Sequence, residues 1–219
     1  MDSPVATVFC DFDGTVTSED TFDLVAAAVA PERWQQIKRQ LFAFEINLRQ
    51  GMALLAEVLT PADLEAMVAR MQGIEPRPEF LPFLDALEAA GIPFVLVSGG
   101  LVPLVEAVLG LHRQRLHQLI AADVRPHPAG RLEFHSPFSS DEELVAKARV
   151  IEHFGAGRSV VIGDSITDLR MAEVADLVFA RAPLSDWLDE RGIAYHRWED
   201  FGDVAAVLRR EGLLGAVAA

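Results

Sequence analysis

Two aspartates separated by one residue follow the first apolar stretch of the chain. Residues 5–15 read VATVFCDFDGT, which places Asp11 and Asp13 after a strand-like run and against the turn residue Gly14. Side chains at positions i and i+2 of an extended chain point to the same side, so both carboxylates are expected to face one spot. Two like charges this close need a cation, or one of them keeps its proton. The motif predicts a catalytic or metal-binding site, although Asp-Gly is also ordinary turn chemistry.

Two further segments carry polar groups at the ends of apolar runs. Residues 98–100 (SGG) follow the run IPFVLV, and a hydroxyl with bare backbone amides before a helix is typical of an anion site. Residues 163–168 (GDSITD) follow the run RSVVI, so Asp164 lies at a strand tip and Asp168 one helical turn further along. Either segment alone also fits a helix cap, and only their combination favours a site.

The elements that must position these groups alternate along the chain. Strand-like runs occur at 5–10, 92–97, 158–162 and 176–180, with a weaker run near 193–196. Helix-period stretches occur at 78–90, 100–110, 139–154, 165–174 and 201–210. This alternation predicts an α/β fold, a doubly wound parallel sheet covered on both faces. Ligands bind such sheets at the carboxyl ends of the strands, where the polar segments lie.

One long segment interrupts the alternation. From about 20 to 73 the pattern is helical throughout, with Pro31 and Pro61 at positions that suit helix starts. We therefore predict a helical cap domain over 18–75, inserted into a Rossmann-like core. The core comprises residues 1–17 and 76–219.

Smaller features of the pattern carry weaker expectations. Trp34, Phe42 and Phe44 are candidates to line a substrate pocket, although aromatic residues at helical spacing also form helix interiors. Residues 119–138 predict a hairpin of two short strands. The small-residue tail at 215–219 is expected to fray.

Composition limits the classes of partner. The chain has 219 residues, 51% of them hydrophobic, and a net charge of -14, which argues against nucleic acid and against an anionic membrane surface. Cys10 is the only cysteine, so no disulfide forms within the chain. No apolar run has the length of a membrane span, and no leader pattern is present. We expect a cytoplasmic protein, either a monomer or a homodimer.

Together, DFDGT, SGG, a helix lysine at 147 and GDSITD resemble the motifs of the haloacid dehalogenase superfamily of phosphohydrolases. The resemblance covers nearly the whole chain, and the helical insertion is similar to the cap of the phosphoserine phosphatase branch. It implies a haloacid dehalogenase-like fold. It also implies a phosphomonoesterase that acts on a small phosphorylated metabolite.

The resemblance also implies roles for individual residues. Asp11 matches the nucleophile that attacks phosphorus and becomes an aspartyl phosphate. Asp13 matches the acid that protonates the leaving oxygen and later activates water. Ser98, Gly99 and Lys147 match the groups that hold the phosphoryl oxygens.

A magnesium site follows from the same resemblance. Asp164 matches the carboxylate that binds Mg2+ with Asp11 and the backbone carbonyl of Asp13, and Asp168 matches a further acid of the metal site. Four acids around a phosphate dianion repel one another, and each pair of unit charges at 4 Å costs about 4 kcal/mol at an effective dielectric near 20. Mg2+ and the Lys147 ammonium would neutralise this charge.

Four residues bear on the choice of phosphate ester. Asp20 lies where phosphoserine phosphatases place an acid for the substrate ammonium, but it also suits the cap of the first inserted helix. Gly51 occupies the position of their carboxylate-binding arginine, and Arg49 lies two residues away on a different helix face. Arg181, just after the fourth strand, is either near the site or on the surface.

The stretch IGDSITDLRMAEVADLVFAR and a downstream ED-F segment are similar to the C-terminal third of the methionine-salvage 2-hydroxy-3-keto-5-methylthiopentenyl-1-phosphate phosphatases. The sequence thus favours that substrate class. Phosphoserine and phosphocholine- or phosphoethanolamine-type phosphatases remain alternatives, as does a phosphotransferase on the same scaffold. A receiver-like module phosphorylated on Asp11 is disfavoured, because the neighbouring Asp13 would shorten the life of the phosphorylated state.

Overall fold

The computed structural model describes residues 3–215, so most of the tail expected to fray lies outside the described residues. The strands are β1 (Ala6–Cys10), β2 (Phe94–Leu101), β3 (Gln118–Pro126), β4 (Leu132–His135), β5 (Arg158–Gly163), β6 (Leu177–Ala180) and β7 (His196–Arg197). The helices are α1 (Thr21–Val29), α2 (Pro31–Phe42), α3 (Leu48–Ala56), α4 (Pro61–Met71), α5 (Phe80–Ala89), α6 (Val102–Leu109), α7 (Lys147–Phe154), α8 (Leu169–Val174), α9 (Leu184–Arg191) and α10 (Phe201–Arg210).

The strands form one sheet in the order β4-β3-β2-β1-β5-β6-β7. Every pairing is parallel except that of β3 with β4, which is the predicted hairpin. All five residues of β1 are buried, as expected for a strand with helices on both faces of its sheet. Because β1 is central and pairs with β2 on one side and β5 on the other, the ends of these three strands meet. The predicted doubly wound parallel sheet is confirmed.

Helices α1–α4, which we call the inserted helices, lie between β1 and α5. Pro31 and Pro61 occupy the first turns of α2 and α4, as the sequence predicted. Asn47 and Thr60 close capping boxes at the starts of α3 and α4. The division of the chain into a core and a separate cap domain stays a prediction.

Two of the three aromatic pocket candidates lie on the surface. Phe42, for which a helix interior was the alternative, is 82% exposed at the last residue of α2, so both expectations are wrong for it. Phe44, a pocket candidate, follows in a turn with φ of 56° and is 94% exposed. Trp34, two turns earlier on α2, is buried.

The inserted helices join the rest of the fold through two chain segments that lie side by side. The backbone N–H of Arg77 donates to the carbonyl of Val16 at 2.8 Å. The Arg77 guanidinium donates to the carbonyls of Thr15 and Gly14 at 3.0 and 3.1 Å. We call this pairing the neck.

Three elements differ from the sequence predictions. The helix expected over 139–154 begins only at Lys147, since the carbonyls of its first residues accept hydrogen bonds from other parts of the fold. Strand β2 continues through residues 98–100 instead of ending before them. Helix α9 was not predicted. Within residues 3–215, no helix combines the length and apolar character needed to cross a bilayer.

Candidate active site

A buried lysine holds the first aspartate. Asp11 follows β1 directly, and its N–H donates to the carbonyl of Ile162 on β5 at 2.9 Å. The Lys147 ammonium, at the start of α7, donates to Asp11 Oδ1 at 2.5 Å and to Asp168 Oδ1 at 2.6 Å. Burial would lower the pKa of Lys147, but these two carboxylates raise it above its ordinary value, so the ammonium stays charged.

The charge on Asp11 is only partly balanced. Burial and the neighbouring charge of Asp168 raise the pKa of Asp11 well above its ordinary value, although Lys147 opposes the shift. The side chain of Asp11 is 5% exposed. Asp11 shares the Lys147 ammonium with Asp168, so the negative charge of the Asp11 carboxylate is not fully neutralised.

Asp13 has a different environment from Asp11. Its Oδ1 accepts from the Thr21 hydroxyl and from the Phe22 N–H at 3.0 Å, and its Oδ2 accepts from Ser98 Oγ at 3.3 Å. Burial raises the pKa of Asp13 to about 6, against the opposing effect of these hydrogen bonds. A carboxyl group with a pKa near 6 can both give and take a proton near neutral pH.

The tip of β5 supplies the other acids. Asp168 Oδ2 accepts from the N–H groups of Asp164 and Ser165, each at 3.0 Å, and these bonds fix the turn after the strand. Asp164 Oδ1 accepts from the Thr15 hydroxyl at 2.7 Å. Burial, and then repulsion from Asp168, raise the pKa of Asp164 to about 6.

Gly14 allows the two strand ends to approach this closely. It has φ of +78°, and a Cβ at this position would lie 2.4 Å from Oδ2 of Asp164. Any side chain at position 14 would therefore displace the Asp164 carboxylate from the site.

The acids converge as a possible metal ligand set. One carboxylate oxygen from each of Asp11, Asp164 and Asp168 lies within 4.8 Å of the others. Hard divalent cations prefer such oxygen ligands, and the raised pKa values of Asp11 and Asp164 mark a shortage of positive charge. Since both Asp168 oxygens already accept hydrogen bonds, Asp11 and Asp164 have the oxygens better suited to a direct bond. The Asp13 carboxylate does not belong to this cluster.

A cavity of about 200 Å³ opens onto these acids. Its apolar lining comes from the inserted helices and from the segment before α7, and comprises Phe22, Trp34, Leu41, Leu48, Met52, Leu144 and Val145. Among the described residues that line it, Lys147 has the only cationic side chain. That ammonium is already paired with two carboxylates, so the cavity has no cation for a second anionic group of a ligand.

Some of the predicted phosphate-binding and specificity residues line the cavity, and others do not. Gly99 lines the cavity, whereas Ser98 is fully buried behind it and its Oγ accepts from the Gly100 N–H at 2.9 Å. Asp20 caps α1 and also lines the cavity, while its role toward a substrate ammonium stays a prediction. Gly51 lines the cavity where α2 and α3 pack closely.

Two predicted specificity residues do not line the cavity. Arg49 is exposed and donates to the carbonyl of Ser140 at 2.5 Å. Arg181 stacks over the buried ring of Trp198, 5.2 Å from its centroid. Position 49 points outward because the cavity side of α3 is formed by Leu48, Gly51 and Met52.

Sequence reasoning missed several residues of this site. Glu143 lines the cavity and is 9% exposed, and the hydroxyls of Thr15 and Thr21 hold two of the acids. Arg77, which the sequence analysis did not single out, lies over the same ring of Trp198 as Arg181, behind the turn that carries Asp164. The threonines had a local signal, since Thr15 ends DFDGT and Thr21 follows a few residues later, but Glu143 had none.

Comparison with known proteins identifies a matching family model and several similar proteins. The family model of haloacid dehalogenase-like hydrolases matches residues 8–173. A 2-hydroxy-3-keto-5-methylthiopentenyl-1-phosphate phosphatase of Microcystis aeruginosa is 36% identical over 204 residues, covering 92% of this chain and 96% of that protein. The bifunctional enzyme MtnB/MtnX of Bacillus licheniformis is 31% identical and covers 92% of this chain, which matches 48% of that longer protein.

Solved structures resemble the fold as well. A phosphoserine phosphatase from T. onnurineus superposes with a TM-score of 0.70 at 15% identity, covering 94% of this chain and 95% of the other. At this level of identity the likeness concerns the fold alone.

Proposed function

Because this chain belongs to the haloacid dehalogenase-like hydrolases, we propose that it is a Mg2+-dependent phosphomonoesterase that uses Asp11 as its nucleophile. The chain is a phosphoric monoester hydrolase. The observation that carries the proposed mechanism is the Lys147 ammonium between Asp11 and Asp168, with the Asp164 carboxylate beside them at the mouth of one cavity.

The reaction divides into two displacements at phosphorus. A carboxylate oxygen of Asp11 attacks phosphorus and forms an aspartyl phosphate, while the bond from phosphorus to the ester oxygen breaks. Protonated Asp13 gives its proton to that leaving oxygen. Asp13 then takes a proton from a water molecule that attacks the aspartyl phosphate, which releases inorganic phosphate and restores Asp11. The raised pKa of Asp13, about 6, supports this double role.

Asp11, Asp164 and the backbone carbonyl of Asp13 would hold the Mg2+ ion, with Asp168 fixing the turn that presents Asp164. When bound, Mg2+ neutralises negative charge on the phosphoryl oxygens and on the acids that face them. Lys147 favours the ionised form of Asp11 and holds its carboxylate in position. Gly99 lines the cavity and is our candidate to meet the phosphoryl oxygens, whereas the Ser98 hydroxyl is buried and donates to Asp13.

The substrate is, in our proposal, a phosphate ester whose organic part is uncharged and partly apolar. The cavity walls support this, because aliphatic and aromatic side chains from α1, α2 and α3 face the acids and, within residues 3–215, no unpaired cationic side chain lines the cavity. The substrate in the name of the Microcystis aeruginosa relative carries a methylthio group and a keto group, with no second anion. Phosphoserine would bury its carboxylate beside Asp20 and Glu143 without a partner, which is costly.

Phosphate release from a panel of esters tests both parts of the proposal. With Mg2+ present, we expect kcat/KM for 2-hydroxy-3-keto-5-methylthiopentenyl-1-phosphate to exceed that for phosphoserine by about 100-fold or more. Phosphoethanolamine and phosphocholine complete the panel, and the Asp11→Asn variant is the blank. Release from no ester would overturn the hydrolase mechanism, whereas fastest release from phosphoserine would overturn only the substrate class.

The same assay with added alcohol acceptors separates hydrolysis from transfer. Hydrolysis predicts inorganic phosphate as the product at every acceptor concentration, and a new phosphate ester would instead indicate a phosphotransferase. We further propose a cytoplasmic enzyme that is a monomer or a homodimer, without a nucleic-acid partner, in keeping with its net charge of -14. Light scattering on the purified chain tests the oligomeric state.

A further inference from the structure

The segment before α7 links the inserted helices to the catalytic acids. We call residues 139–146 the wall loop. Glu143, Leu144 and Val145 line the cavity, and the loop ends directly at Lys147. The position of the wall loop therefore sets the shape of the cavity on the side where the organic part of a substrate would lie.

The start of α3 holds three successive carbonyl groups of the wall loop. Arg49 Nη1 donates to the carbonyl of Ser140 at 2.5 Å, and the Arg49 N–H donates to the carbonyl of Glu142 at 3.0 Å. Asn47 Nδ2 donates to the carbonyl of Asp141, between them, at 3.3 Å. The N–H groups in the first turn of a helix have no acceptor within the helix, so the wall loop supplies one that α3 needs.

Side chains of α7 and α8 hold the same loop from the opposite direction. Arg149 Nη1 donates to the carbonyl of Ser139 at 2.7 Å. Arg170 pairs with the side chain of Glu142, and its Nε lies 3.9 Å from a carboxylate oxygen of Glu143. The wall loop is thus bonded both to α3 and to α7 and α8. Loss of the α3 contacts would leave it bonded to α7 and α8 alone.

Lys147 does not depend on these contacts. Its ammonium is buried and bonded to Asp11 and Asp168, and α7 begins at this residue. A change at the start of α3 should therefore alter the cavity wall and leave the phosphate end of the site in place.

We propose that Arg49 is a positioning residue, which fixes the wall loop against α3 and so shapes the part of the cavity that binds the organic portion of the substrate. This inference rests on the proposed function, because it concerns how that site recognises its ester. It gives Arg49 a role through the loop in place of a direct contact with substrate. Asn47 supports the same contact with a single hydrogen bond.

Variants at the start of α3 test the proposal by separating two affinities. In Arg49→Ala we expect KM for 2-hydroxy-3-keto-5-methylthiopentenyl-1-phosphate to rise about threefold to tenfold, as for loss of one hydrogen bond. The inhibition constant of inorganic phosphate should change by less than about twofold. Arg49→Lys should recover part of the loss, since a lysine ammonium also reaches a carbonyl.

A second variant at the start of α3 repeats the test, and a variant on α2 serves as the control. Asn47→Asp keeps a good helix cap but removes the Nδ2 donor, so KM should rise as it does in Arg49→Ala. Arg39→Ala removes an exposed arginine from α2 and should leave KM unchanged. An unchanged KM in both α3 variants, or an equal rise in the inhibition constant of phosphate, would overturn the proposal.

Amide hydrogen exchange tests the loop without any turnover. The N–H groups of Ser140, Glu143 and Ala146 are hydrogen-bonded within the fold. Arg49→Ala should raise their exchange rates about threefold to tenfold, and Arg39→Ala should not. Unchanged exchange in Arg49→Ala would reject the positioning role, even if no ester proved to be a substrate and the proposed function itself failed.

Discussion

At the scale of residues, one ammonium faces three carboxylates. Lys147 bonds Asp11 and Asp168, while the hydrogen-bond partner of the Asp164 carboxylate is the Thr15 hydroxyl. The raised pKa values of Asp11 and Asp164 express this imbalance. A site that lacks positive charge is suited to bind a cation and a phosphoryl group together, because each relieves the repulsion that the other would meet.

Substitution of the two aspartates of the first motif tests the chemistry directly. We expect Asp11→Asn to abolish phosphate release, since an amide does not form the acyl phosphate. Asp13→Asn should lower kcat by about 10²–10⁴-fold through loss of proton transfer. Glu32→Gln, an exposed acid on α2, serves as the matched control in a steady-state assay with Mg2+. Normal turnover by either aspartate variant would contradict the assigned roles.

The raised pKa of Asp13 has a consequence for stability. A carboxyl group whose pKa rises from 3.8 to about 6 on folding stabilises the fold when protonated, and this contribution is lost as the pH rises through that window. Asp13→Asn is neutral at every pH and keeps an acceptor for Thr21 and Phe22. Without metal, the variant should therefore gain stability relative to the natural chain between about pH 4 and pH 7, by about 1–3 kcal/mol.

Thermal unfolding in the presence of a chelator measures that difference. The gap in free energy of unfolding between Asp13→Asn and the natural chain should widen with pH and level off above about pH 7. A gap of constant size from pH 4.5 to pH 8 would mean that Asp13 titrates at its ordinary pKa.

Particular residues show how far the sequence determines the site. The strand pattern predicted that Asp11 and Asp164 lie at the same edge of the sheet, but their shared site was inferred from the family resemblance, since the order of the strands is not visible in the sequence. Lys147 was identified only by resemblance, because its spacing on a helix carries no signal. Arg49 depends on a contact with Ser140, 91 residues away in the sequence, and Glu143 lies in the loop that this contact holds. Such contacts leave no periodicity to detect.

At the scale of elements, α1 and α2 present the aromatic part of the cavity wall. Asp23 on α1 accepts from Trp34 Nε1 at 2.7 Å and from Lys38 Nζ at 2.6 Å. The Trp34 ring meets Phe22 edge-on with centroids 5.6 Å apart. One half-exposed carboxylate thus fixes the orientation of an indole that lines the cavity.

Removal of that carboxylate should loosen the wall. We expect Asp23→Ala to raise KM for 2-hydroxy-3-keto-5-methylthiopentenyl-1-phosphate about threefold to tenfold. The free energy of unfolding should fall by about 1 kcal/mol. Asp23→Asn keeps an acceptor for the indole and should recover most of the KM. Kinetics and thermal unfolding of both variants measure this, and equal KM values for Asp23→Ala and the natural chain would exclude the anchoring role.

The helices show where local pattern prevails and where it does not. Helix α10 lies where its periodicity predicted it, because its capping residues and apolar face agree. The first half of the helix expected over 139–154 is a loop, since Ser139, Ser140 and Asp141 favour turns and their carbonyls accept from arginine and asparagine side chains. There the tertiary contacts overrode the local pattern.

At the scale of the whole molecule, metal binding should stabilise the fold. Mg2+ at 100 times its dissociation constant adds about 2.7 kcal/mol to the free energy of unfolding, which corresponds to a Tm increase of about 5–10 °C for a chain of this size. We expect this increase in the natural chain and little or none in Asp164→Asn. Differential scanning calorimetry with and without Mg2+ measures it, and an equal increase in both proteins would place the ion elsewhere.

The neck should allow the inserted helices to be exchanged without displacing the acids at the strand ends. The carbonyls of residues 14–16 accept hydrogen bonds from Arg77, so the segment that carries the inserted helices begins and ends at one place on the sheet. A different segment could be inserted there while Asp11, Lys147 and Asp164 keep their positions. Its first turn would have to retain Thr21, whose hydroxyl donates to Asp13. On the proposed function, relatives could therefore differ in this one continuous stretch of chain and keep the same reaction at phosphorus.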